Sequence, residues 1–368
     1  MHRRLLAPAL LAACFTGDAL EGEPCKTDAD CGPDLACSDG GLCGEFRCEE
    51  PEQLSLENFA PDVLLLVDFA GTMRLEEVDG VPYPLRWDLA HPLLVRIADE
   101  VGPAVNLGMQ VVPSVDPTAM FSSDPCFTSN ATLISPAAGN GPTVRGALRD
   151  LPANTGEHAL SRGLEFVLAA LALRPGAAVR PQAIVVISDG SFNCIPTVSD
   201  EVDRVELFDA GLATRVAQLA DDEDHPIPVY VVGVDVVPGG VPPAEGRRIF
   251  EVDGDLAFAQ LAEAGGRPRP GATPYYTPAD ADELIDALRE IPDAFADCRV
   301  RLDPIPDYPS RLVVGVAGST FNPSDDCASG HGWRYADPDS THIELCESTC
   351  EAFRKARALT IDRRCPSA

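Results

Sequence analysis

A run of five apolar residues, Val63 to Val67, constrains the fold of this chain more than any other segment. A short apolar run between polar residues is typical of a strand covered on both faces, as in the parallel sheets of α/β domains. Ligands of such sheets bind beyond the carboxyl ends of the strands. Asp68, Gly71 and Thr72 follow at once. The sequence therefore predicts an aspartate and a hydroxyl at the mouth of a buried strand.

Alternating strand and helix patterns continue to about residue 297. Further strands are predicted at Val105–Val112, Ile184–Ile187 and Val229–Val234, with a weaker one near Tyr275. Helices are predicted between the strands from apolar residues at helical spacing: Leu89, Leu93 and Ile97; Leu160, Leu164, Val167, Leu168 and Leu171; Leu212, Val216 and Leu219; Leu284, Ile285 and Leu288. This order predicts a doubly wound, mostly parallel sheet with helices on both faces.

A second strand end repeats the arrangement of the first, because the strand at Ile184–Ile187 delivers Asp189 after Ser188. Between the two strands, Thr155 precedes the longest amphipathic helix and would place a hydroxyl at a helix N-terminus on the same edge of the sheet. Asn154 could fill that position instead. Oxygen ligands for a hard divalent cation could therefore converge at this edge.

Together these residues resemble the metal-ion-dependent adhesion site of von Willebrand factor type A domains. That signature is Asp-x-Ser-x-Ser after the first strand, a Thr from a later loop and an Asp after the fourth strand. Asp68, Thr72, Thr155 and Asp189 match it, whereas Ala70 replaces the first Ser. The resemblance covers about residues 60 to 297.

The resemblance implies a protein-binding or adhesive module in which Mg²⁺ or Mn²⁺ bridges to an acidic residue of a protein partner. The methyl group of Ala70 cannot coordinate an ion, so affinity for the metal should be reduced, although Mg²⁺ can keep waters in place of a lost ligand. In the alternative, Asp68 and Asp189 accept backbone hydrogen bonds without a metal. Thr155 would then be a plain helix N-cap.

The first 13 residues are predicted to be an export signal, because a positive start is followed by the apolar run Leu5 to Ala13. The segment ends in Leu11-Ala12-Ala13-Cys14, which resembles the bacterial lipobox and implies a lipid on Cys14. In the alternative, the signal is cleaved and Cys14 is not lipidated. We therefore expect a lipoprotein of the bacterial outer membrane or cell surface, attached to the membrane only through Cys14, or else a periplasmic or secreted protein.

Twelve of the 13 cysteines remain once Cys14 is set aside, and an even number suits a disulfide framework in an oxidising compartment. They form a group of five before residue 49, the pair Cys126 and Cys194, and a group of five from residue 298 onward. If the middle pair forms a disulfide and no thiol is free, an odd group at each end requires at least one bridge between the two ends. Cys48 and Cys298 are the candidates, and their bridge would clamp the ends of the central region.

Four parts of the chain are predicted: the signal over 1–13, a cysteine-rich disulfide module over 14–59, the α/β domain over 60–297 and a β appendage with disulfides over 298–368. The first module has four evenly spaced cysteines in an acidic, Gly-rich segment, which favours disulfides over a zinc site and leaves three pairings open. The appendage contains short strand-like pieces and one helix near Glu351–Arg357.

Charge and motifs argue against several functions. A formal charge of −30 repels nucleic acid phosphates and anionic membranes. No hydrolase elbow, metalloprotease, phosphate-loop or dinucleotide motif occurs, so enzymatic activity is not expected. Ser188 is the only nominally placed nucleophile. His158, three residues after Thr155, could reach the same edge of the sheet, but a lone histidine near a helix start is more often a solvated surface group. Two functions remain: an exported adhesion or interaction module with a weakened metal site, or a metal-free structural scaffold of the cell envelope.

Overall fold

The computed structural model describes residues 22–26, 30–31, 35–37, 41–45, 53–56, 60–74, 77–78, 81–82, 85–114, 124–130, 133–149, 151, 156–174, 177, 180–190, 192–222, 225–291, 298–302, 312–316, 318–324, 327–356 and 358–363. The chain divides into two compact units. The larger unit is Leu56–Arg299, and the smaller combines Met1–Ser55 with Val300–Ala368. No helix in the described part of the chain is both long and apolar enough to cross a membrane.

The larger unit is built on a five-stranded sheet. Its strands are β1 (Asp62–Asp68), β2 (Asn106–Val112), β3 (Ile134–Ala138), β4 (Gln182–Ser188) and β5 (Val229–Gly233). Their order across the sheet is β5-β4-β1-β2-β3, and neighbours are parallel except β3, which is antiparallel to β2. The predicted mostly parallel α/β fold is thus confirmed. Edge strand β3 was not predicted, because its sequence contains Pro136 and lacks apolar alternation.

Helices cover both faces of this sheet. They are α1 (Arg86–Arg96), α2 (Gly141–Arg149), α3 (Leu160–Ala172), α4 (Glu201–Glu206), α5 (Gly211–Ala220), α6 (Gly254–Ala264) and α7 (Ala281–Arg289). A π-helical turn, Ile97–Val101, continues α1. Among the described residues the unit also has short 3-10 helices at Gly71–Arg74, Ile249–Glu251 and Pro278–Asp280. A two-stranded hairpin pairs Glu77–Val78 with Val81–Pro82. The four predicted helices correspond to α1, α3, α5 and α7.

Strand β1 lies at the centre of two hydrophobic cores. Val63, Leu65 and Val67 pack on the face covered by α1, α2 and α7. Leu64 and Leu66 pack on the opposite face with α3, α5 and α6. Successive side chains of a strand point to opposite faces, so a strand buried on both sides must be apolar at every position. This explains the uninterrupted apolar run in the sequence.

The strand order reverses at β1, because β2 lies on one side of it and β4 on the other. Connections leave the sheet in opposite directions on the two sides of such a point, which opens a crevice beyond the carboxyl ends of the strands. Asp68 is the last residue of β1, and Asp189 directly follows β4. The fold therefore places both aspartates at the crevice.

A second group of charges lies at the opposite, amino edge of the same sheet. Buried Asp62 accepts hydrogen bonds from Asn106 Nδ2 at 2.8 Å and from Arg174 Nε at 3.2 Å, and Arg180 Nε lies 3.8 Å away. Burial raises the pKa of Asp62, and the two arginines oppose the rise. The group joins the starts of β1 and β2 to the segment between α3 and β4.

The N-terminal part of the smaller unit contains two strands, Leu35–Cys37 and Cys43–Glu45, which pair antiparallel. Disulfides join Cys25 to Cys37 and Cys31 to Cys43. One of the three pairings that the sequence left open is therefore present.

The C-terminal part of the smaller unit contains two antiparallel-rich sheets and one helix, Glu347–Ala356. The first sheet has the strand order Arg299–Arg301, His342–Leu345, Trp333–Tyr335. The second sheet has the strand order Ser319–Phe321, Leu312–Val316, Leu359–Arg363, Gln53–Leu56. The pairing of Gln53–Leu56 with the C-terminal strands was not predicted from the sequence. A disulfide joins Cys327 to Cys346.

Cys298 and Cys350 each take part in a disulfide. Cys48, the predicted partner of Cys298, lies outside the described residues, as do Cys14 and the signal segment 1–13. The clamp between Cys48 and Cys298 therefore stays a prediction.

A substitution at Gly108, in β2, tests how closely edge strand β3 packs against β2. A Cβ at this position would lie 2.7 Å from the carbonyl oxygen of Ile134 and 2.9 Å from the nitrogen of Pro136, so Gly108→Ala must displace backbone. We expect a loss of roughly 1–3 kcal/mol in the free energy of unfolding, measured in urea. The control Gly146→Ala, with no atom within 4 Å of the new Cβ in α2, should gain up to about 1 kcal/mol. Equal effects of the two substitutions would contradict the packing argument.

Candidate binding site at the carboxyl edge of the central sheet

The site is a cluster of Asp68, His158 and Asp189, each of which offers one ligand atom within 4.8 Å of the other two. All three side chains are buried. Of the predicted metal ligands, the structure thus brings Asp68 and Asp189 together. Thr72 lies beside them in the 3-10 helix Gly71–Arg74, whereas Thr155 lies outside the described residues.

Both carboxylate oxygens of Asp68 already have hydrogen-bond partners. Oδ1 accepts the backbone N–H of Ala70 at 3.0 Å. Oδ2 accepts the hydroxyl of Ser188 at 2.6 Å and lies 2.6 Å from His158 Nδ1. At the position where the signature has a ligand serine, this chain therefore supplies a backbone donor to Asp68.

His158 is 3% exposed, so the expectation of a solvated surface group is wrong, and the alternative, in which this histidine reaches the edge of the sheet, holds. Its backbone N–H donates to Asn193 Oδ1 at 3.0 Å, and its Nε2 lies 3.4 Å from Thr72 Oγ1. The segment before α3 runs between two loops of the site and carries the imidazole inward. The only sequence signal was the position of His158 three residues after Thr155.

Electrostatics hold His158 in its charged form. Burial alone would lower the pKa of the imidazole, but the Asp68 carboxylate raises it through its charge and its hydrogen bond. The charges of Asp189 and Glu157 add to this effect, and the pKa rises from 6.5 to about 9. His158 is therefore an imidazolium at neutral pH.

Asp189 forms its ion pair with a different cation, Arg86. Its Oδ2 accepts from Arg86 Nη1 at 2.7 Å, and Arg86 Nε donates to Asp235 Oδ2 at 3.0 Å. Arg86 is the first residue of α1, whose N-terminus lies at this edge. The other oxygen of Asp189, Oδ1, is buried with no hydrogen bond to the described residues and lies 3.6 Å from His158 Nδ1. The sequence analysis did not identify Arg86, because its approach depends on the strand order.

A disulfide between Cys126 and Cys194 joins the two loops that hold the segment before α3. Pro125, next to Cys126, accepts the backbone N–H of Glu157 at 2.8 Å. Asn193, next to Cys194, binds the backbone of His158 and donates to Glu157 Oε2 at 2.9 Å. The disulfide thus fixes the two groups that orient Glu157 and His158.

Gly156 permits the close approach of this segment to the first loop. A Cβ on Gly156 would lie 2.5 Å from the carbonyl oxygen of Pro125 and 2.6 Å from Cγ of Pro113. Its own carbonyl accepts the backbone N–H of Gly71 at 2.9 Å. Residue 156 is therefore in backbone contact with the turn that carries Thr72.

The described residues do not fit a hard divalent ion as they are arranged. Mg²⁺ needs a near-octahedral set of oxygens at about 2.0–2.1 Å. Here a nitrogen, His158 Nδ1, lies in hydrogen-bond contact with Asp68, and Arg86 contacts Asp189. The Asp-His-Asp group has the chemistry of a site for softer ions such as Zn²⁺, which accept imidazole nitrogen, but Nδ1 would first have to lose its proton.

Comparison with known proteins gives structural similarity at low identity. No family model and no curated protein sequence matches the chain. BatB from Bacteroides thetaiotaomicron is 17% identical with a TM-score of 0.39, over 63% of this chain and 98% of that chain. Manganese-loaded TRAP protein from Plasmodium vivax is 16% identical with a TM-score of 0.37, over 66% of this chain and 78% of that chain.

A third similar structure is proximal thread matrix protein 1 from the mussel byssus with a zinc-occupied MIDAS motif. It is 10% identical with a TM-score of 0.36, over 67% of this chain and 50% of that chain.

The raised pKa of His158 predicts a pH dependence of stability. A folded-state pKa of about 9 against 6.5 means that the charged imidazole stabilises the fold fully below pH 6.5, and that this contribution is lost as the pH rises through 9. The contribution can reach about 3 kcal/mol, since one pKa unit corresponds to about 1.4 kcal/mol. His158→Gln retains a hydrogen-bond donor but does not titrate.

Urea unfolding of wild type and His158→Gln at pH 6 to 9.5 measures this contribution. The wild type should be more stable than the variant at pH 6, and the difference should shrink toward pH 9. A difference that is constant over this range would show that His158 does not carry the charge.

Proposed function

We propose that this chain is an exported protein-interaction module with a domain of the von Willebrand factor type A kind, which binds a protein partner through its carboxyl-edge face. This face comprises the loops that follow β1, β4 and β5, together with α4 and the first turns of α1 and α6. The proposal rests on the distribution of exposed apolar side chains.

Among the described residues, seven large apolar side chains are exposed, and five of them belong to the carboxyl-edge face: Leu89, Val202, Val237, Phe250 and Leu256. Phe250 is 75% exposed and Val237 60%. Single exposed apolar residues are ordinary, but their concentration at one edge indicates a binding surface. Aromatic side chains in particular contribute most to protein interfaces.

The opposite edge provides a contrast. Leu173, which is 85% exposed, follows the end of α3 next to Arg174, the residue that binds Asp62 at the amino edge. It is the exposed large apolar side chain of that edge within the described ranges. With a formal charge of −30, the chain favours partner surfaces that are neutral or basic.

Export is supported by the disulfides, because such bonds form and persist in oxidising compartments. The predicted signal over 1–13 and the lipobox-like sequence before Cys14 extend this to a lipoprotein of the bacterial outer membrane or cell surface. Without the lipid the protein would be periplasmic or secreted.

The resemblance to the adhesion site implied a bridging Mg²⁺ or Mn²⁺ that takes an acidic residue of the partner. Our proposal does not use this ion, because His158 and Arg86 contact the two aspartates that would hold it. The second candidate function is a metal-free structural scaffold of the cell envelope, which is favoured by the same internal neutralisation of Asp68 and Asp189.

Site-specific photocrosslinking in cells that export the chain separates the two functions. A photoreactive amino acid at position 250 should form adducts with a partner protein several times more often than the same amino acid at position 173. Both positions are exposed and apolar in the wild type, so reactivity is matched. Equal yields, or no adducts at either position, would contradict the proposed interaction face and favour the scaffold.

Cell fractionation of wild type and Cys14→Ser tests the proposed anchor. The wild type should sediment with membranes, and the variant should appear in the soluble fraction, because a covalent lipid is the proposed attachment. A wild-type chain that is soluble would contradict lipidation at Cys14 without bearing on the interaction face.

A further inference from the structure

We propose that His158 and Arg86 act as built-in cations of the carboxyl-edge site, in place of a divalent metal ion, so that the site is complete without metal. This inference concerns the charge balance of the folded chain. It does not depend on the identity of a partner or on the proposed interaction function.

The first support is that each buried carboxylate has its own cation in contact. Asp68 Oδ2 lies 2.6 Å from His158 Nδ1, and Asp189 Oδ2 lies 2.7 Å from Arg86 Nη1. The side chains of both aspartates are 0% exposed. Burying a carboxylate is costly unless a charged or hydrogen-bonding partner compensates, and here each carboxylate has one.

The second support is the position of the imidazole. His158 Nδ1 lies near both carboxylates, 2.6 Å from Asp68 Oδ2 and 3.6 Å from Asp189 Oδ1. An ion that took these two oxygens as ligands would compete with this nitrogen for them. The buried Oδ1 of Asp189, which has no hydrogen bond to a described residue, faces this nitrogen.

The third support is that both cations are held in place by further contacts. Asn193 binds the backbone of His158, and Asp235 binds Nε of Arg86. Ala70 lacks a ligand atom, but its backbone N–H donates to Asp68 Oδ1. His158 and Arg86 therefore already contact carboxylate oxygens that an ion would need as ligands.

Thermal unfolding of the purified chain, freed of metal with EDTA and lacking the predicted signal, tests the inference directly. Addition of MgCl₂ or MnCl₂ at millimolar concentration, or ZnCl₂ at micromolar concentration, should leave the Tm within 1 °C or so of its value in EDTA. A rise of more than about 2 °C that is lost in Asp189→Asn would overturn the inference. A rise retained in Asp189→Asn reports an ion bound elsewhere and supports it.

A variant that regains oxygen ligands at the site is the matching gain-of-function test, because it should respond to a metal ion. In the double variant Ala70→Ser/His158→Ser, two oxygens replace the methyl group and the imidazole, so Mn²⁺ should raise the Tm by at least about 2 °C. Ala70→Ser alone keeps both cations and should not respond. Equal responses of the two variants, in either direction, would overturn the role of His158.

A second pair of variants keeps the test decisive if the double variant does not fold. Arg86→Met in EDTA removes the cation nearest to buried Asp189 and should lower the Tm by several degrees more than Arg96→Met. Arg96 is the matched control, because it also has two acidic partners, Glu100 at 2.8 Å and Asp282 at 2.9 Å, but on the surface. Equal losses would overturn the role of Arg86.

Discussion

The contact between the imidazole of His158 and the buried carboxylate of Asp68 is the interaction on which the rest of the site depends. The sheet reverses its strand order at β1, which brings Asp68 and Asp189 to one crevice, where both side chains are buried. Their charges must be neutralised within the protein. The loops that follow β1, β2 and β4 are arranged so that His158 and Arg86 reach these two oxygens.

Both edges of the sheet carry buried carboxylates that are paired with cations of the same chain. A strand that is buried on both faces is apolar along its length, so polar side chains collect where it begins and ends. At the amino edge, Asp62 is neutralised by Arg174 and Arg180. At the carboxyl edge, Asp189 is neutralised by Arg86. The two edges differ in the residues around them. Exposed apolar residues concentrate around the carboxyl edge, which makes this edge the candidate binding surface.

Local sequence patterns were sufficient for four of the five strands of the central sheet and for two of the site residues. The apolar runs of β1 and β4 end in Asp68 and Asp189, so the strand pattern itself located them. Edge strand β3 escaped prediction because a half-exposed strand with a proline has no strong pattern. Helices α2, α4 and α6 were not predicted, although α6 has apolar residues at helical spacing, including Phe258 and Leu261.

His158 and Arg86 could not be placed in this way, because their positions depend on contacts between segments far apart in the sequence. His158 is directed inward by Asn193, and Arg86 meets Asp189 only because α1 begins at the edge where β4 ends. A lone histidine before a helix and an arginine at a helix start are ordinary surface residues by pattern. Strand order and long-range loop contacts are the information that the pattern lacks.

The Cys126–Cys194 disulfide bears on when the site can form as well as on its shape. Disulfides form and persist in oxidising compartments, whereas thiols stay reduced in the cytosol. In a reducing compartment the loops that carry Pro125 and Asn193 would not be tied together. Under the export proposed above, the histidine beside Asp68 would therefore acquire its fixed position only after translocation.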